Sequence, residues 1–246
     1  MAVDRPRLRN LLLTLGAGAL VAVILAWVDG SGGAKLNDTL ALFAIWGIAA
    51  VSLNLINGTT GILSLGHHGF MLIGGYVTAL LILPADARER IASSARSEMT
   101  PFTLGLSVEN WFEAIGLSAL AGPDGLWARF LVALFLGGLV AMVFGLIVGI
   151  PSLRLKGDYL AIVTFGFGEI IRLTASTSLF SPFTNGALGY SGVPNDFGKS
   201  VWWTFALLGL TLFVMTKFKF SSYGRALQAI REDEIAAEAM GVNLAR

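Results

Sequence analysis

Long apolar runs separated by short polar stretches dominate the chain and predict an all-α, polytopic bundle of transmembrane helices. A helix needs about 20 mainly apolar residues to cross a bilayer. The third, fifth and sixth runs are shorter, so we expect them to extend into polar flanks or to be broken helices shielded by their neighbours. The six runs are Leu11–Val28, Leu40–Ile56, Phe70–Leu83, Phe130–Ile150, Tyr159–Leu173 and Val201–Met215.

Composition supports a membrane protein. The chain has 246 residues, of which 55% are hydrophobic and 13% charged, and its mean hydropathy is +0.73. Soluble domains carry about 25% charged residues, so most of this chain belongs in lipid. The net charge of +1 gives no sign of a nucleic-acid-binding surface. Without cysteine, the chain has no disulfides, thiolate metal ligands or cysteine nucleophiles.

The first run follows a basic stretch and has two interpretations. One is a cleaved signal peptide, whose apolar core would span about 7–15 residues before a small-residue cleavage site. The run Leu11–Val28 is longer and ends in Trp27-Val28-Asp29, which favours an uncleaved first helix.

The distribution of Lys and Arg predicts the orientation, because cytoplasmic loops carry an excess of both. We expect a multi-pass protein of the cell inner membrane with both termini cytoplasmic. The tryptophans at outer span ends, Trp27, Trp111, Trp127, Trp202 and Trp203, agree with an interfacial belt. The inner segments then hold Arg5, Arg7, Arg9, Arg154, Lys156, Lys217, Lys219, Arg225, Arg231 and Arg246, and the outer loops hold Lys35, Arg88, Arg90, Arg96 and Lys199.

The pattern divides the chain into a transmembrane domain, 1–220, and a C-terminal segment, 221–246. An insert, 84–125, interrupts the transmembrane domain on the outer side. Within it, Asn110–Leu120 is typical of an interfacial amphipathic helix, and a poorly ordered family-specific insertion is the alternative.

The stretch Asn54–Ala79 is unusual for membrane depth because glycines and polar residues interrupt it. Non-helical backbone at that depth must be buried in protein or line an aqueous cavity. One interpretation is therefore a broken hairpin lining a substrate pathway, with Ser64, Gly66 and His67 in it. The alternative is tight helix packing through glycine, with a polar turn at the inner surface.

Two charged residues, Glu169 and Arg172, lie inside the fifth run and can pair on one helix face. A structural ion pair is the first interpretation, and a gate or substrate contact is the alternative. Small residues at every fourth position of the fourth run favour close helix packing over substrate contact. They are Gly137, Ala141, Gly145 and Gly149.

No catalytic or metal-binding motif is present in the sequence. It contains no GxxxxGK[ST] phosphate loop and no acidic or histidine cluster at metal-ligand spacing. His67 and His68 are adjacent, and adjacent side chains point to different sides of a helix or strand. We therefore predict that the chain is not an enzyme and binds no cofactor or metal, and that any ATP hydrolysis takes place on another subunit.

The C-terminal segment begins with a polar, helix-forming stretch, Tyr223–Met240, which Gly241 is placed to end. An amphipathic helix on the membrane surface is one interpretation. Its apolar face is small and alanine-rich, and anionic lipid would repel its excess of acidic residues. A groove in a protein partner fits better.

Three blocks of sequence resemble the permease subunits of branched-chain amino acid (LIV-type) ABC importers, and the second block is most similar to the LivM type. Together they cover the chain from Asn54 to its end, outside the insert. The blocks are GTTGILSLGH from Gly58 with Phe70 and Gly74-Gly75-Tyr76; LRLKGDYLAIVT from Leu153 with Gly166, Glu169, Ile170, Arg172 and Thr184-Asn185-Gly186; and Gly224-Arg225-Ala226-Leu227, Ala229-Ile230-Arg231, Glu234-Ile235-Ala236-Ala237 and Gly241.

The resemblance implies a permease subunit of an ATP-driven importer of branched-chain or related small amino acids. It also implies a second permease subunit, two cytoplasmic ATPase subunits that use ATP, and an extracytoplasmic solute-binding protein. The implied substrate-pathway residues are Ser64, Gly66, His67, Glu169, Arg172, Thr184 and Asn185. The implied ATPase-coupling residues, in a coupling helix within 221–246, are Gly224, Arg225, Arg231, Glu234, Ala236, Ala237 and Gly241.

The chain departs from the family pattern in two ways. Ile235 interrupts the importer motif E-A-A-x-x-x-G after Glu234. Family permeases continue into further spans after this helix, so the sequence predicts a C-terminally truncated chain. The alternatives are a secondary transporter of small polar solutes and a non-functional truncated permease fragment, and the sequence does not fix the substrate.

Overall fold

The structure, a computed structural model, is built from helices and confirms the predicted all-α class. It describes residues 16, 18–28, 33–94, 99–116, 125–152, 155, 157–177, 180–194 and 201–242. Several residues used to predict orientation lie outside this part of the chain, together with the start of the first apolar run. They are Arg5, Arg7, Arg9, Arg96, Arg154, Lys156, Lys199 and Arg246.

Helices are numbered in chain order within the described residues. A π-helical turn, Leu55–Thr60, continues α2, and a 3-10 turn, Gly186–Leu188, follows α9. The bounds are α1 Gly18–Val28, α2 Ala34–Asn54, α3 His67–Ile82, α4 Ala85–Ser93, α5 Pro101–Gly105, α6 Val108–Ala114, α7 Leu126–Ser152, α8 Asp158–Ala175, α9 Ser181–Thr184, α10 Val201–Lys219, α11 Ser222–Glu232 and α12 Glu234–Ala239.

Three of the described helices are long and apolar enough to cross a bilayer: Lys35–Thr60, α7 and α10. The helix α3 becomes a fourth span if it is joined to α4, but the axis bends by 103° between them. Charged residues shorten the apolar part of α8, which is 18 residues long. A polytopic helical bundle is therefore confirmed, whereas the predicted count of six spans is not.

The described helices fall into two compact units. The first contains Met1–Leu55 and Asn195–Ala226, and its main contact is between α2 and α10. Gly47 on α2 allows this approach, because an added Cβ would lie 3.2 Å from Leu208 Cδ1 on α10. Ala41 and Ala44 are buried on α2. Gly47 thus lets the two helices pack closely, as is usual where lipid removes the hydrophobic driving force.

The second unit contains Ile56–Pro194 and Leu227–Arg246, and in it α3 packs against both α7 and α8. At the α7 contact, a Cβ added to Gly137 would lie 2.9 Å from the carbonyl oxygen of Gly74. A Cβ added to Gly74 would lie 3.8 Å from Ala141 Cβ. Gly145 and Gly149 have open space around them. The small-residue face of α7 is therefore used for packing over its first half.

The described part of the insert folds onto this second unit. The helix α6 buries Val108 beside Leu81 and Ala133, while Ile115 at its end remains 72% exposed. The carboxylate of Glu109 accepts a hydrogen bond from Arg88 at 3.2 Å and pairs with Arg129 at 3.4 Å. Of the predicted helix Asn110–Leu120, α6 covers only the first part, and residues 117–120 lie outside the described chain.

Candidate functional site

A non-helical stretch, residues 61–66, separates the end of the α2 helix from α3, and we call it the break. The chain enters it through the π-helical turn Leu55–Thr60, an element that often marks functional sites. Gly61, the first residue of the break, has a φ of 71°, a conformation that favours glycine. The glycine-rich pattern of Asn54–Ala79 therefore corresponds to a real interruption of the helix.

The break runs alongside α8. The backbone N–H of Leu65 donates to Thr164 Oγ1 at 3.1 Å, and Gly66 lies so close that an added Cβ would overlap the carbonyl oxygen of Thr164. Thr164 is six residues after the start of α8 at Asp158, which is about 9 Å along the helix axis. A broken helix and close glycine packing therefore occur together at this point of the chain, and the role of the break in a substrate pathway stays a prediction.

Polar side chains replace the missing helical hydrogen bonds of the break. The Asn57 side-chain oxygen accepts from the Ser64 N–H at 3.1 Å, and Thr60 Oγ1 accepts from the Ile62 N–H at 3.4 Å. Backbone groups in a low-dielectric environment need such partners. This requirement explains why Asn57 and Thr60 occur at the entrance to the break.

The predicted pair on α8 is present. Glu169 Oε2 accepts from Arg172 Nε at 2.9 Å and pairs with Arg172 Nη2 at 2.8 Å. His68 Nε2 lies 3.6 Å from Glu169 Oε1, beyond direct hydrogen-bond distance, and His68 Nδ1 lies 3.1 Å from the carbonyl oxygen of Leu65. The residue beside the acid is therefore His68, which sequence reasoning missed in favour of His67.

The predicted pathway residues Thr184 and Asn185 shape the loop after α8. Thr184 Oγ1 donates to the carbonyl oxygen of Ala175 at 2.6 Å. Asn185 adopts a left-handed conformation with a φ of 59°, and its Nδ2 donates to the carbonyl oxygen of Gly189 at 2.9 Å. Both side chains are buried. These hydrogen bonds connect the two side chains to backbone groups of the loop and of the end of α8.

The same loop is fixed to the bundle by Tyr190. Its ring stacks edge-on against Tyr76 of α3 at a centroid distance of 5.7 Å, and its hydroxyl donates to the carbonyl oxygen of Phe183. Burial raises the pKa of Tyr190 above its usual range, so the hydroxyl keeps its proton. These contacts hold the loop against α3.

An apolar cavity of about 580 Å³ lies in the second unit among α3, α7, α8 and α9. This volume is in the range of small-molecule sites. Of the predicted pathway residues, Thr184 lines it, whereas Ser64, Gly66, His67, Glu169 and Arg172 do not. The structure therefore separates the predicted pathway residues into two groups, one along the break and α8 and one beside the cavity.

The C-terminal segment starts with a tight corner after α10. A Cβ added to Gly224 would overlap the carbonyl oxygens of Phe218 and Lys219. Arg225 Nη1 donates to the carbonyl oxygen of Phe220 at 2.7 Å, and Ser221 Oγ accepts from the Gly224 N–H at 3.2 Å. Gly224 and Arg225 therefore have a structural reason to occur at the junction between a membrane span and a polar helix.

The single helix predicted over Tyr223–Met240 is wrong, because Asp233 divides it into α11 and α12. Asp233 has extended backbone, with a φ of −160°. Its Oδ1 accepts from the N–H groups of Ile235 at 2.8 Å and Ala236 at 3.1 Å. This is an N-cap, and the Asp before an alanine-rich stretch was the sequence signal that could have revealed it.

The short helix α12 presents an unusual surface. Ile235 and Met240 are 81% and 85% exposed, whereas Ala237 is buried. Gly241, with a φ of 86°, ends the helix as predicted, and the Val242 N–H donates to the carbonyl oxygen of Ala237 at 3.0 Å. Of the predicted coupling residues, Ala236 is therefore exposed and Ala237 is buried.

Arg231 of α11 reaches the residues that lead into the break. Its Nη1 donates to the carbonyl oxygen of Gly58 at 2.8 Å.

Among the residues that the structure describes, no three His, Asp or Glu side chains form a group that could hold a metal ion.

Comparison with known proteins identifies relatives over most of the chain. A family model described as branched-chain amino acid transport system / permease component matches residues 35–246. The high-affinity branched-chain amino acid transport system permease protein LivM of Salmonella typhimurium strain LT2 is 29% identical, over 93% of this chain and 51% of the relative. The protein of that name from Escherichia coli strain K12 is 30% identical, over 84% of this chain and 46% of the relative. The chain thus spans about half the length of these relatives. No solved structure matches it.

Proposed function

Because the chain belongs to the family of branched-chain amino acid transport permease components, we propose that it is a membrane-spanning subunit of an ATP-driven importer. Its substrates would be branched-chain or related small amino acids. The observation that carries the proposal is a corner, Gly224-Arg225, that joins a membrane span to a polar helical segment with exposed apolar side chains at its tip.

This segment is suited to docking in a groove of a soluble ATPase. Ile235 in α12 and Met240 directly after it are exposed, and side chains of this kind anchor helices in protein grooves. Asp233 fixes where α12 begins, so that Ile235 lies near the start of a short capped helix and Met240 lies just past its end. Closure of two ATPase subunits on ATP would then move the segment, in which the residues predicted to couple are Gly224, Arg225, Arg231, Glu234, Ala236, Ala237 and Gly241.

The remaining parts of the proposal follow from family and sequence. The chain would pair with a second permease subunit and receive substrate from an extracytoplasmic solute-binding protein. Residues 1–220 would form the permease domain in the inner membrane, and 221–246 would lie in the cytoplasm together with the N-terminus. In this orientation α8 would run outwards from Asp158, with the break towards its cytoplasmic end and Glu169 towards its other end.

Substrate would pass along the break and α8. Here Ser64, Gly66 and His67 stand at the interruption of the helix, and Glu169 and Arg172 form the charged pair further along α8. Thr184 and Asn185 would act by holding the loop that closes over the end of α8. Exposed backbone and paired charges of this kind suit a small zwitterion.

The docking role is tested in the complex purified with its native partners. Ile235→Asp should lower substrate-stimulated ATPase activity and release the ATPase subunits, because a charge would be placed in an apolar groove. The matched control is Ile115→Asp, since Ile115 is 72% exposed on the insert and Ile235 is 81% exposed. Equal ATPase activity and subunit recovery in the two variants would overturn the docking role. Deletion of 225–241 should abolish the stimulated activity.

A further inference from the structure

The contact between α11 and the entrance of the break joins the two regions that the proposed importer has to connect. We infer that Arg231 is a positioning residue that ties the C-terminal segment to the break, so that displacement of this segment moves residues 61–66. The inference rests on the proposed function and deepens it, because it names the contact through which ATPase movement reaches the substrate pathway.

The guanidinium of Arg231 makes two kinds of contact. Its Nη1 donates to the carbonyl oxygen of Gly58, in the π-helical turn, at 2.8 Å. Its Nε donates to Glu232 Oε1 at 3.1 Å, and Nη2 bonds the same oxygen. A charged donor on a carbonyl forms one of the stronger hydrogen bonds in proteins. The neighbouring Glu232 keeps the planar guanidinium oriented towards that turn.

The aliphatic part of Arg231 packs on Gly61. A Cβ added to Gly61 would lie 2.9 Å from Arg231 Cδ and would overlap Cγ. Gly61 also has a φ of 71°, which other residues rarely adopt. The contact therefore needs glycine at position 61 for two independent reasons, one steric and one conformational.

Beyond Gly61 the hydrogen bonds that hold the break include two to backbone N–H groups in its second half. Asn57 accepts from the Ser64 N–H, and Thr164 of α8 accepts from the Leu65 N–H. Between these points the chain has none of the helical hydrogen bonds of its neighbours. Segments with few such bonds open at low free energy. A displacement of Arg231 would thus alter the conformation of the break, while α8 keeps its helical hydrogen bonds.

Labelling of a single cysteine can report this movement, because the chain has no native cysteine. Leu63 lies in the break and is 48% exposed, so Leu63→Cys provides a site for N-ethylmaleimide. The variant is purified with its native partners, and labelling of this subunit alone is followed after separation on a gel. We expect the labelling rate to differ between the nucleotide-free complex and the complex trapped with ATP and vanadate.

In the Leu63→Cys background, Arg231→Ala should abolish the nucleotide-dependent difference while the partners remain bound, and Arg231→Lys should restore part of it. Gly61→Ala places a methyl group where the Arg231 side chain packs, so it disrupts the same contact and should have the same effect as Arg231→Ala. Arg90→Ala is the control, since Arg90 is an exposed arginine on α4 that pairs with Asp86. Unchanged thermal unfolding midpoints would show that the variants are folded.

The outcomes separate the inference from the proposed function. A nucleotide-dependent difference that persists in Arg231→Ala and Gly61→Ala would overturn the role of Arg231 and leave the importer proposal intact. A parent without any nucleotide-dependent difference would also overturn the inference. If Ile235→Asp then left ATPase activity and partner binding unchanged, the proposed function would fail as well.

Discussion

Replacing Gly69 with alanine should weaken the contact between α3 and α8, whereas the same change at Gly75 should not. A Cβ added to Gly69 would lie 2.9 Å from Gly168 Cα and 3.2 Å from Ile171 Cδ1. A Cβ added to Gly75, on the same helix, would meet no atom within 4 Å. Both substitutions therefore add the same methyl group to the same helix, and they differ only in the space available for it.

The expected magnitude follows from that difference. Carbon atoms pack best at about 3.5–4.0 Å, so α3 or α8 would have to shift by roughly 0.6–1 Å at Gly69. Overpacking of this kind costs about 1–3 kcal/mol. Alanine gains up to about 1 kcal/mol over glycine in a helix, and this gain applies to both sites. Gly69→Ala should therefore be less stable than Gly75→Ala by about 1–3 kcal/mol, or about 5- to 150-fold in the unfolding equilibrium constant.

The assay is reversible unfolding of the purified protein in mixed micelles, with increasing dodecyl sulfate and helix content followed by circular dichroism. The free energies of unfolding of the two variants are compared with that of the unmodified chain. If both variants had the same stability, the close approach of Gly69 to Gly168 would be refuted.

Three further predictions concern single contacts. Thr164→Val should leave a backbone N–H of the break unpaired and destabilise the protein by about 1–3 kcal/mol in the same assay, whereas Thr164→Ser should not; equal losses would contradict the hydrogen bond. Asp233→Ala should cost about 1 kcal/mol of α12 stability and speed amide exchange at the start of α12, and unchanged exchange would argue against the cap. Glu109→Ala should lower the thermal unfolding midpoint, because it removes the carboxylate that pairs with the buried Arg129. Asp86→Ala should not lower it, because the pair of Asp86 with Arg90 is exposed. Similar midpoints in the two variants would speak against the buried pairing.

Apolar runs predicted which parts of the chain are helices more reliably than they predicted helix ends. Val201 begins both the predicted run and α10, but α10 continues to Lys219 because helical hydrogen bonding does not stop where hydropathy falls. Lys217 and Lys219 are also favourable in a last turn, next to the negative end of the helix dipole. The short runs were therefore extended into polar flanks, as expected, at both α3 and α10.

Features set by contacts between distant residues were harder to predict. Nothing local distinguishes His68 from His67, and the choice depends on α8, which lies about a hundred residues later in the sequence and places Glu169 next to His68. The insert was predicted to contain an interfacial amphipathic helix or to be poorly ordered, because the pairing of its Glu109 with Arg129 is not visible in its own composition. In contrast, the Asp233 cap is a local sequence signal. It was missed because the residues on both sides of Asp233 form helices readily.

Uptake of radiolabelled leucine into proteoliposomes tests the central claim most directly. The vesicles contain the chain purified with its native partners, with solute-binding protein and ATP supplied on their respective sides. The account predicts uptake that requires ATP and is lost in Ile235→Asp but kept in Ile115→Asp. Uptake driven by an ion gradient without an ATPase subunit, and insensitive to Ile235→Asp, would contradict it and would make the chain a secondary transporter.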